Sequence, residues 1–199
     1  MDATLIDRAL VIRPSTDADV PAMVAIYSYH IGRGIGDLGA YEAEAVDAED
    51  LKRRRRNMRH KRLPHLVAEF DGAVAAYAYA VPFRKRPAYR YTVKHSIYVH
   101  PDRLGLGIGR RLLPALVAAC AAGGFRQMIG YIDGANEASL HIHEACGFRR
   151  VGLLPAVAYK FGHWADSIMV QRALGEGDAS LPPPLPGLSR GPVPGTGPA

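Results

Sequence analysis

A short apolar run, Ile97-Tyr98-Val99, leads through His100 and Pro101 into a segment with glycine at every second position, Gly105-Leu106-Gly107-Ile108-Gly109, followed at once by Arg110 and Arg111. Glycines let a backbone turn tightly and aim several N–H groups into one concavity. A helix beginning directly after such a loop adds unpaired amides and a partial positive charge. The combination is a cradle for phosphate or pyrophosphate. Two better-known phosphate loops do not fit. No Gly-Lys-Ser/Thr occurs, as a P-loop requires, and the spacing G-x-G-x-G is not the G-x-G-x-x-G of a dinucleotide fold. For this loop alone, a purely structural glycine turn remains the alternative.

Further on stands Asn136-Glu137-Ala138-Ser139-Leu140-His141-Ile142-His143-Glu144-Ala145-Cys146-Gly147-Phe148. The run reads as a short helix closed by Gly147 in the C′ position. His141 and His143, two apart, diverge on a helix, and the eight histidines form no ligand pattern, so no metal is expected.

The elements that must position these segments follow from periodicity. Residues 10–14 read as a strand stopped by Pro14, and Ser15 or Thr16 can cap a helix through Val20, Met23, Val24 and Tyr27. Residues 32–39 form a glycine-spaced loop, and Asp47 can cap a second, arginine-rich helix. Residues 65–70 and 73–81 around Asp71-Gly72 are a hairpin. A strand over 91–99, an apolar helix with Pro114 near its first turn or kinking it, a strand over 127–132, the 136–146 helix and strands near 150–154 and 165–170 complete the order β-α-α-β-β-β-α-β-α-β-β. This is an α/β fold of the α+β type, one domain around a mostly antiparallel sheet. Residues 175–199 are rich in Pro and Gly and lack aromatics, so they are expected to be a disordered tail; a PxxP-type docking peptide at Pro183 to Pro186 is the alternative.

These segments together resemble the GNAT superfamily, in which a glycine loop and helix are followed by a strand and an N-x-x-S…(Y/H)-E-x-x-G-F helix. The order of VAEFDGAVAAYAYA, FRKRPAYRYTV, SIYVHP, IHEACGF and KFGHWADSIMVQ is similar to phosphinothricin N-acetyltransferases. The resemblance covers residues 9–173 and implies a GNAT domain over 1–174. It implies acetyl-CoA as co-substrate and a small amino-acid-like amine as acceptor, with direct attack in a ternary complex. On that reading Ile97, Tyr98 and Val99 line the pantetheine arm. Gly105, Leu106, Gly107, Ile108, Gly109 and Arg110 hold the pyrophosphate, Asn136 and Ser139 bind the pantetheine, and His143 is the acid for the leaving thiolate. A homodimer is implied by the same analogy.

The chain departs from its relatives at three places. Leu104 stands where Gln or Arg is usual in the phosphate loop. Lys94 stands where relatives carry the glutamate that serves as base, and a charged ammonium cannot accept a proton. Three readings compete: His95 or a water chain replaces that base, Lys94 binds a carboxylate or phosphinate of the substrate, or the protein is a weak or altered enzyme. Side-chain alternation sends His95 to the opposite sheet face from Lys94. The third departure is the glycine-spaced loop bordering the acceptor site, with Tyr41 in the place of an aromatic.

Composition narrows the setting. Hydrophobic residues make up 48% of 199, enough for a core, and the formal net charge is +6. A positive chain attracts anions, CoA and nucleic acid alike. Arg53 to Arg56 are consecutive and cover every helix face, so a solvated helix is expected and nucleic acid is not. No apolar run approaches the roughly 20 residues of a membrane span. Two cysteines make no disulfide framework, and a cytoplasmic protein is expected. The competing class is an acyl-CoA-binding or nucleic-acid-binding module without turnover. Within the fold, another amine, including a peptide N-terminus, is the alternative acceptor.

Overall fold

The computed structural model describes residues 10–32 and 47–182. The glycine-spaced loop beyond Gly32, Tyr41 and the stretch from Pro183 onward lie outside the described residues. Seven strands form one sheet: β1 (Leu10–Pro14), β2 (His65–Phe70), β3 (Ala73–Pro82), β4 (Thr92–Val99), β5 (Gln127–Asp133), β6 (Arg149–Lys160) and β7 (His163–Ala173). Four helices accompany them: α1 (Val20–Gly32), α2 (Ala48–His60), α3 (Ile108–Ala122) and α4 (Glu137–Ala145). The order along the chain is the expected one. The sheet runs β1-β2-β3-β4-β5-β7-β6, and every neighbouring pair is antiparallel except β4 and β5.

Local chemistry sets the boundaries. Asp71 and Gly72 both take positive φ (51° and 76°), the geometry of a two-residue hairpin turn. Thr16 and Asp19 form a reciprocal capping box at the entry to α1, and the Asp47 side chain accepts from the Glu49 amide at 2.9 Å. In β3, Ala76, Ala78 and Ala80 turn toward α3 while Tyr77 and Tyr79 turn toward α1 and α2. Small residues on one face let α3 approach closely; large rings fill the other.

Two apolar clusters result, one per face. Leu112, Leu113, Leu116, Val117 and Cys120 of α3 pack on Ala76, Ala78, Ala80, Val93 and Met128. On the opposite face Val20, Met23 and Ile26 of α1 pack on Val67, Tyr77 and Tyr98. Cys120 and Cys146 are unpaired, and burial pushes the Cys120 thiol up to about 12.

One open choice is decided, and two features differ from the sequence expectation. Helix α3 starts at Ile108, so of the two positions open to Pro114, the first turn or a point inside the helix where it can kink it, the structure has the second, and the Arg110 carbonyl loses its helical donor. Strand β6 continues well past Leu154, through an irregularity where Ala156 takes φ 47° and donates its N–H to Asp166 Oδ1 at 2.8 Å. Arg55 is not solvated. It is 5% exposed and binds Asp17 and the Ser15 carbonyl, fastening α2 to the start of α1. Arg53 and Arg54 pair with Asp50. Residues 175–182 turn back on the domain, where Arg126 pairs with Glu176 at 3.5 Å and binds Ser180 Oγ at 3.1 Å.

Candidate active site

The site exists because two parallel strands part. Pairing between β4 and β5 covers only Thr92 to Lys94 against Gln127 to Ile129. Beyond Lys94 the strands diverge. The His100 N–H bonds to the Ala75 carbonyl at 2.7 Å, which fixes which β4 residues exchange bonds with β3. By alternation, the backbone groups of Ile97 and Val99 face the gap left by β5. A cleft of about 450 Å³ opens there.

At one end of the cleft lies the glycine loop. Gly105 and Gly107 both have φ of 76°, a conformation that side-chain-bearing residues rarely adopt. Gly107 caps α3 without any side-chain acceptor, so the first-turn amides of Ile108, Gly109 and Arg110 stay open. Gly109 is needed for a different reason. A Cβ there would stand 3.3 Å from Ile142 Cδ1, at the junction with α4. Arg103 and Arg110 line the same end. Leu106 does not line the cleft; its side chain packs against the α3 core.

Helix α4 borders the cleft with Asn136, Ser139 and His143. Asn136 caps it, Oδ1 accepting from the Ser139 amide at 3.0 Å, and the Asn136 NH₂ has no partner among the described residues. At its other end the Gly147 N–H bonds to the Glu144 carbonyl at 2.9 Å and the Phe148 N–H to the His143 carbonyl at 3.0 Å. That Schellman closure, with Gly147 at φ 79°, folds the Phe148 ring to 5.2 Å from His143 and 5.1 Å from His95.

His95 and His143 are both buried and meet Nε2 to Nε2 at 2.9 Å. Their Nδ1 atoms each face a carbonyl: His95 that of Ile129 at 3.0 Å, His143 that of Ser139 at 2.6 Å. Carbonyls only accept, so each Nδ1 calls for a proton, and the contact between the rings calls for a third. Three ring protons mean one positive charge. Burial opposes it. Burial first, then repulsion from His143, pushes His95 down to about 3 against a smaller upward pull from the Ile129 carbonyl, and burial lowers His143 with partial compensation from the Ser139 carbonyl. A third proton wanted by geometry and resisted by burial is readily surrendered. Gly130 makes the room: a Cβ there would lie 2.8 Å from His95 Cε1.

Lys94 lies on the other face of β4, exposed, with its side chain bordering the cleft. Lys94 and His95 thus sit on opposite faces, as alternation requires. His30, near the end of α1, also lines the cleft and was not singled out by sequence. Its Nε2 lies 2.8 Å from the Val99 carbonyl. Nothing in the YSYHIG run distinguishes that histidine from a helix-surface residue. No group of three or more His, Cys, Asp or Glu that could hold a metal occurs among the described residues. No helix among them is long and apolar enough to cross a membrane.

The profile of the acetyltransferase (GNAT) family matches residues 27–148. Phosphinothricin N-acetyltransferase of Alcaligenes faecalis is 42% identical over 175 residues, covering 87% of each chain. The L-methionine sulfoximine/L-methionine sulfone acetyltransferase of Salmonella typhimurium is 32% identical, covering 84% of this chain and 96% of its own. Among solved structures, a GNAT superfamily phosphinothricin acetyltransferase from Sinorhizobium meliloti in complex with AcCoA superposes with a TM-score of 0.83 at 39% identity, covering 88% of this chain and 94% of that one. A forked β4–β5 cleft, a glycine loop feeding a helix and agreement along nearly the whole domain lead to one conclusion: the chain belongs to the GNAT acetyltransferase family.

Proposed function

We propose that the protein transfers an acetyl group from acetyl-CoA to the amine of a small amino-acid-like acceptor of the phosphinothricin or methionine sulfoximine type, by direct attack in a ternary complex. The observation that carries this reading is the β4–β5 cleft, with an anion cradle at one end and a buried histidine pair beside it. The residues fit a nucleotide thioester. Gly105, Gly107, Ile108, Gly109 and Arg110 would hold the diphosphate, Leu106 serving through its backbone alone. The Ile97 backbone and the Val99 N–H would run beside the pantetheine amides, the Val99 carbonyl being occupied by His30. Tyr98 corrects the sequence expectation: its backbone groups turn to β3 and its ring stacks at 5.1 Å on Tyr77 in the α1 core, so it offers the arm no backbone hydrogen bond. The NH₂ of Asn136 and the Ser139 hydroxyl complete that wall.

His143, backed by His95, would give a proton to the departing sulfur. A thiolate whose thiol has an ordinary pKa near 8.5 is a stronger base than a buried imidazole, so this transfer runs downhill. Lys94 replaces the expected carboxylate with a donor and would bind the carboxylate or phosphinate of the acceptor. The domain would extend over residues 1–174 with 175–199 as its tail. A homodimer is supported by β6, an edge strand whose Leu153 (58% exposed), together with Trp164 (65%) and Tyr159 on the same hairpin, leaves large apolar surface uncovered. Two unpaired thiols support a reducing, cytoplasmic setting.

The test is thiol release from acetyl-CoA with phosphinothricin, methionine sulfoximine, ordinary amino acids and a peptide N-terminus as acceptors. Turnover with the amino-acid-like amines supports the proposal. Turnover with the peptide alone, or binding of acetyl-CoA without turnover, would replace it.

A further inference from the structure

With Lys94 in place of a carboxylate, the amine's proton needs another acceptor. His95 is not available for it: it is buried on the face of β4 opposite Lys94. Asp133 also lines the cleft, its Oδ1 accepting from the Ala135 amide at 2.9 Å in the turn that leads into α4. His30 differs from both. It lies with Tyr98 (ring centroids 5.7 Å apart) on the face of β4 that carries Lys94. Its Nε2 is 2.8 Å from the Val99 carbonyl, at the point where the backbone of β4 faces the gap.

That single contact determines the tautomer. A carbonyl cannot donate, so the ring proton resides on Nε2 and Nδ1 keeps its lone pair. Nδ1 has no hydrogen-bond partner among the described residues. Burial, only partly offset by the Val99 carbonyl, lowers the pKa of this ring below its ordinary value and favours the neutral form that can accept a proton.

From this geometry we infer that His30, through Nδ1, is the general base that takes the acceptor amine's proton in the acetyl transfer proposed above. The inference rests on that reading of the cleft. The protons balance as follows. An ammonium sheds two protons in becoming an amide N–H: one passes to solvent before attack, and Nδ1 of His30 takes the other as the N–C bond forms. The C–S bond breaks with its electron pair going to sulfur, and the His95–His143 pair supplies the proton there. His30 then returns its proton to solvent, and solvent recharges the pair. Base and acid stand on opposite faces of one strand, so neither proton crosses the other's path.

His30→Gln keeps an N–H able to reach the Val99 carbonyl but lacks the basic nitrogen. The expected result is a fall in kcat of about 100-fold, the usual worth of a general base, with acetyl-CoA affinity by calorimetry held within about two-fold of wild type. The acidic limb of the kcat/KM pH profile should fall from a two-proton to a one-proton dependence, the remaining proton being the acceptor ammonium's own, and added imidazole should restore turnover to His30→Ala. A kcat within about three-fold of wild type overturns the assignment. So does parallel loss of kcat and acetyl-CoA affinity, or an acidic limb whose proton dependence the substitution leaves unchanged, because either marks a structural role. If the wild-type enzyme releases no thiol with any amine, the acetyl-transfer reading fails and the role of His30 falls with it; wild-type turnover with unaltered His30 variants removes the base alone.

Discussion

His95 and His143 touch Nε2 to Nε2 at 2.9 Å across the interface of β4 and α4, each with its other nitrogen on a backbone carbonyl. The pair is held from outside by Gly130, whose missing side chain leaves room for the His95 ring. Gly130→Ala would place a Cβ 2.8 Å from His95 Cε1 and 3.0 Å from Val170 Cγ2. Overpacking of this kind costs about 1–3 kcal/mol. The expected outcome is a lower melting temperature and a kcat reduced about ten-fold or more through the displaced acid, with acetyl-CoA still bound. A kcat equal to wild type would show that the ring contact is incidental.

Lys94→Met should raise KM for acceptors bearing a carboxylate or phosphinate by about ten-fold or more, because a hydrogen bond to a charged group is worth about 1.5–3 kcal/mol. Lys94→Glu should be worse on the same acceptors through like-charge repulsion. Steady-state kinetics decide. Higher turnover with Lys94→Glu would mean that a carboxylate base was wanted at that position after all.

His65 gives the fold a pH dependence independent of the active site. It is buried between Tyr77 and Tyr79, and burial, then the Arg55 charge, pushes it down to about 4. The unfolded chain, with its histidine near 6.5, therefore binds more protons than the folded one between those values. Stability is full above about pH 6.5, falls as the pH drops toward about 4, and levels below. The loss attributable to His65 is up to about 3 kcal/mol. Urea unfolding at several pH values should show this slope, and His65→Phe should reduce it, the remainder coming from the other buried histidines, His95 first; an unchanged slope removes His65 as a source.

The uncovered β6–β7 surface predicts self-association. Leu153→Asp combined with Trp164→Asp should shift the mass measured by analytical ultracentrifugation from dimer to monomer while far-ultraviolet dichroism is retained. A wild-type chain that is already monomeric would contradict the proposal.

How much of this could be read in the chain depends on range. The glycine loop, the Asn136–Phe148 helix and the Asp71-Gly72 hairpin are short patterns whose physics is local, and they stand where sequence puts them. Alternation alone separated Lys94 from His95. The contact of His95 with His143 was out of reach, since it joins residues 48 apart through the packing of a helix on a sheet. His30 escaped notice because its role comes from the Val99 carbonyl, a backbone group with no sequence signature. Arg55 looked solvated within a run of arginines because only tertiary structure brings Asp17 beneath it. Strand β6 runs past the expected end near Leu154 because an edge strand tolerates Pro155 at an irregularity, here pinned by Asp166.

The central claim is that backbone amides between the end of β4 and the first turn of α3 bind the diphosphate of acetyl-CoA. Titration calorimetry of acetyl-CoA into wild-type protein and Gly107→Glu tests it most directly, since the substitution sets a carboxylate and a strained φ of 76° at the cap of α3. The account predicts saturable one-to-one binding by the wild type and no measurable binding by the variant, with both proteins folded. Equal affinity for the two, or no heat with either, would contradict it.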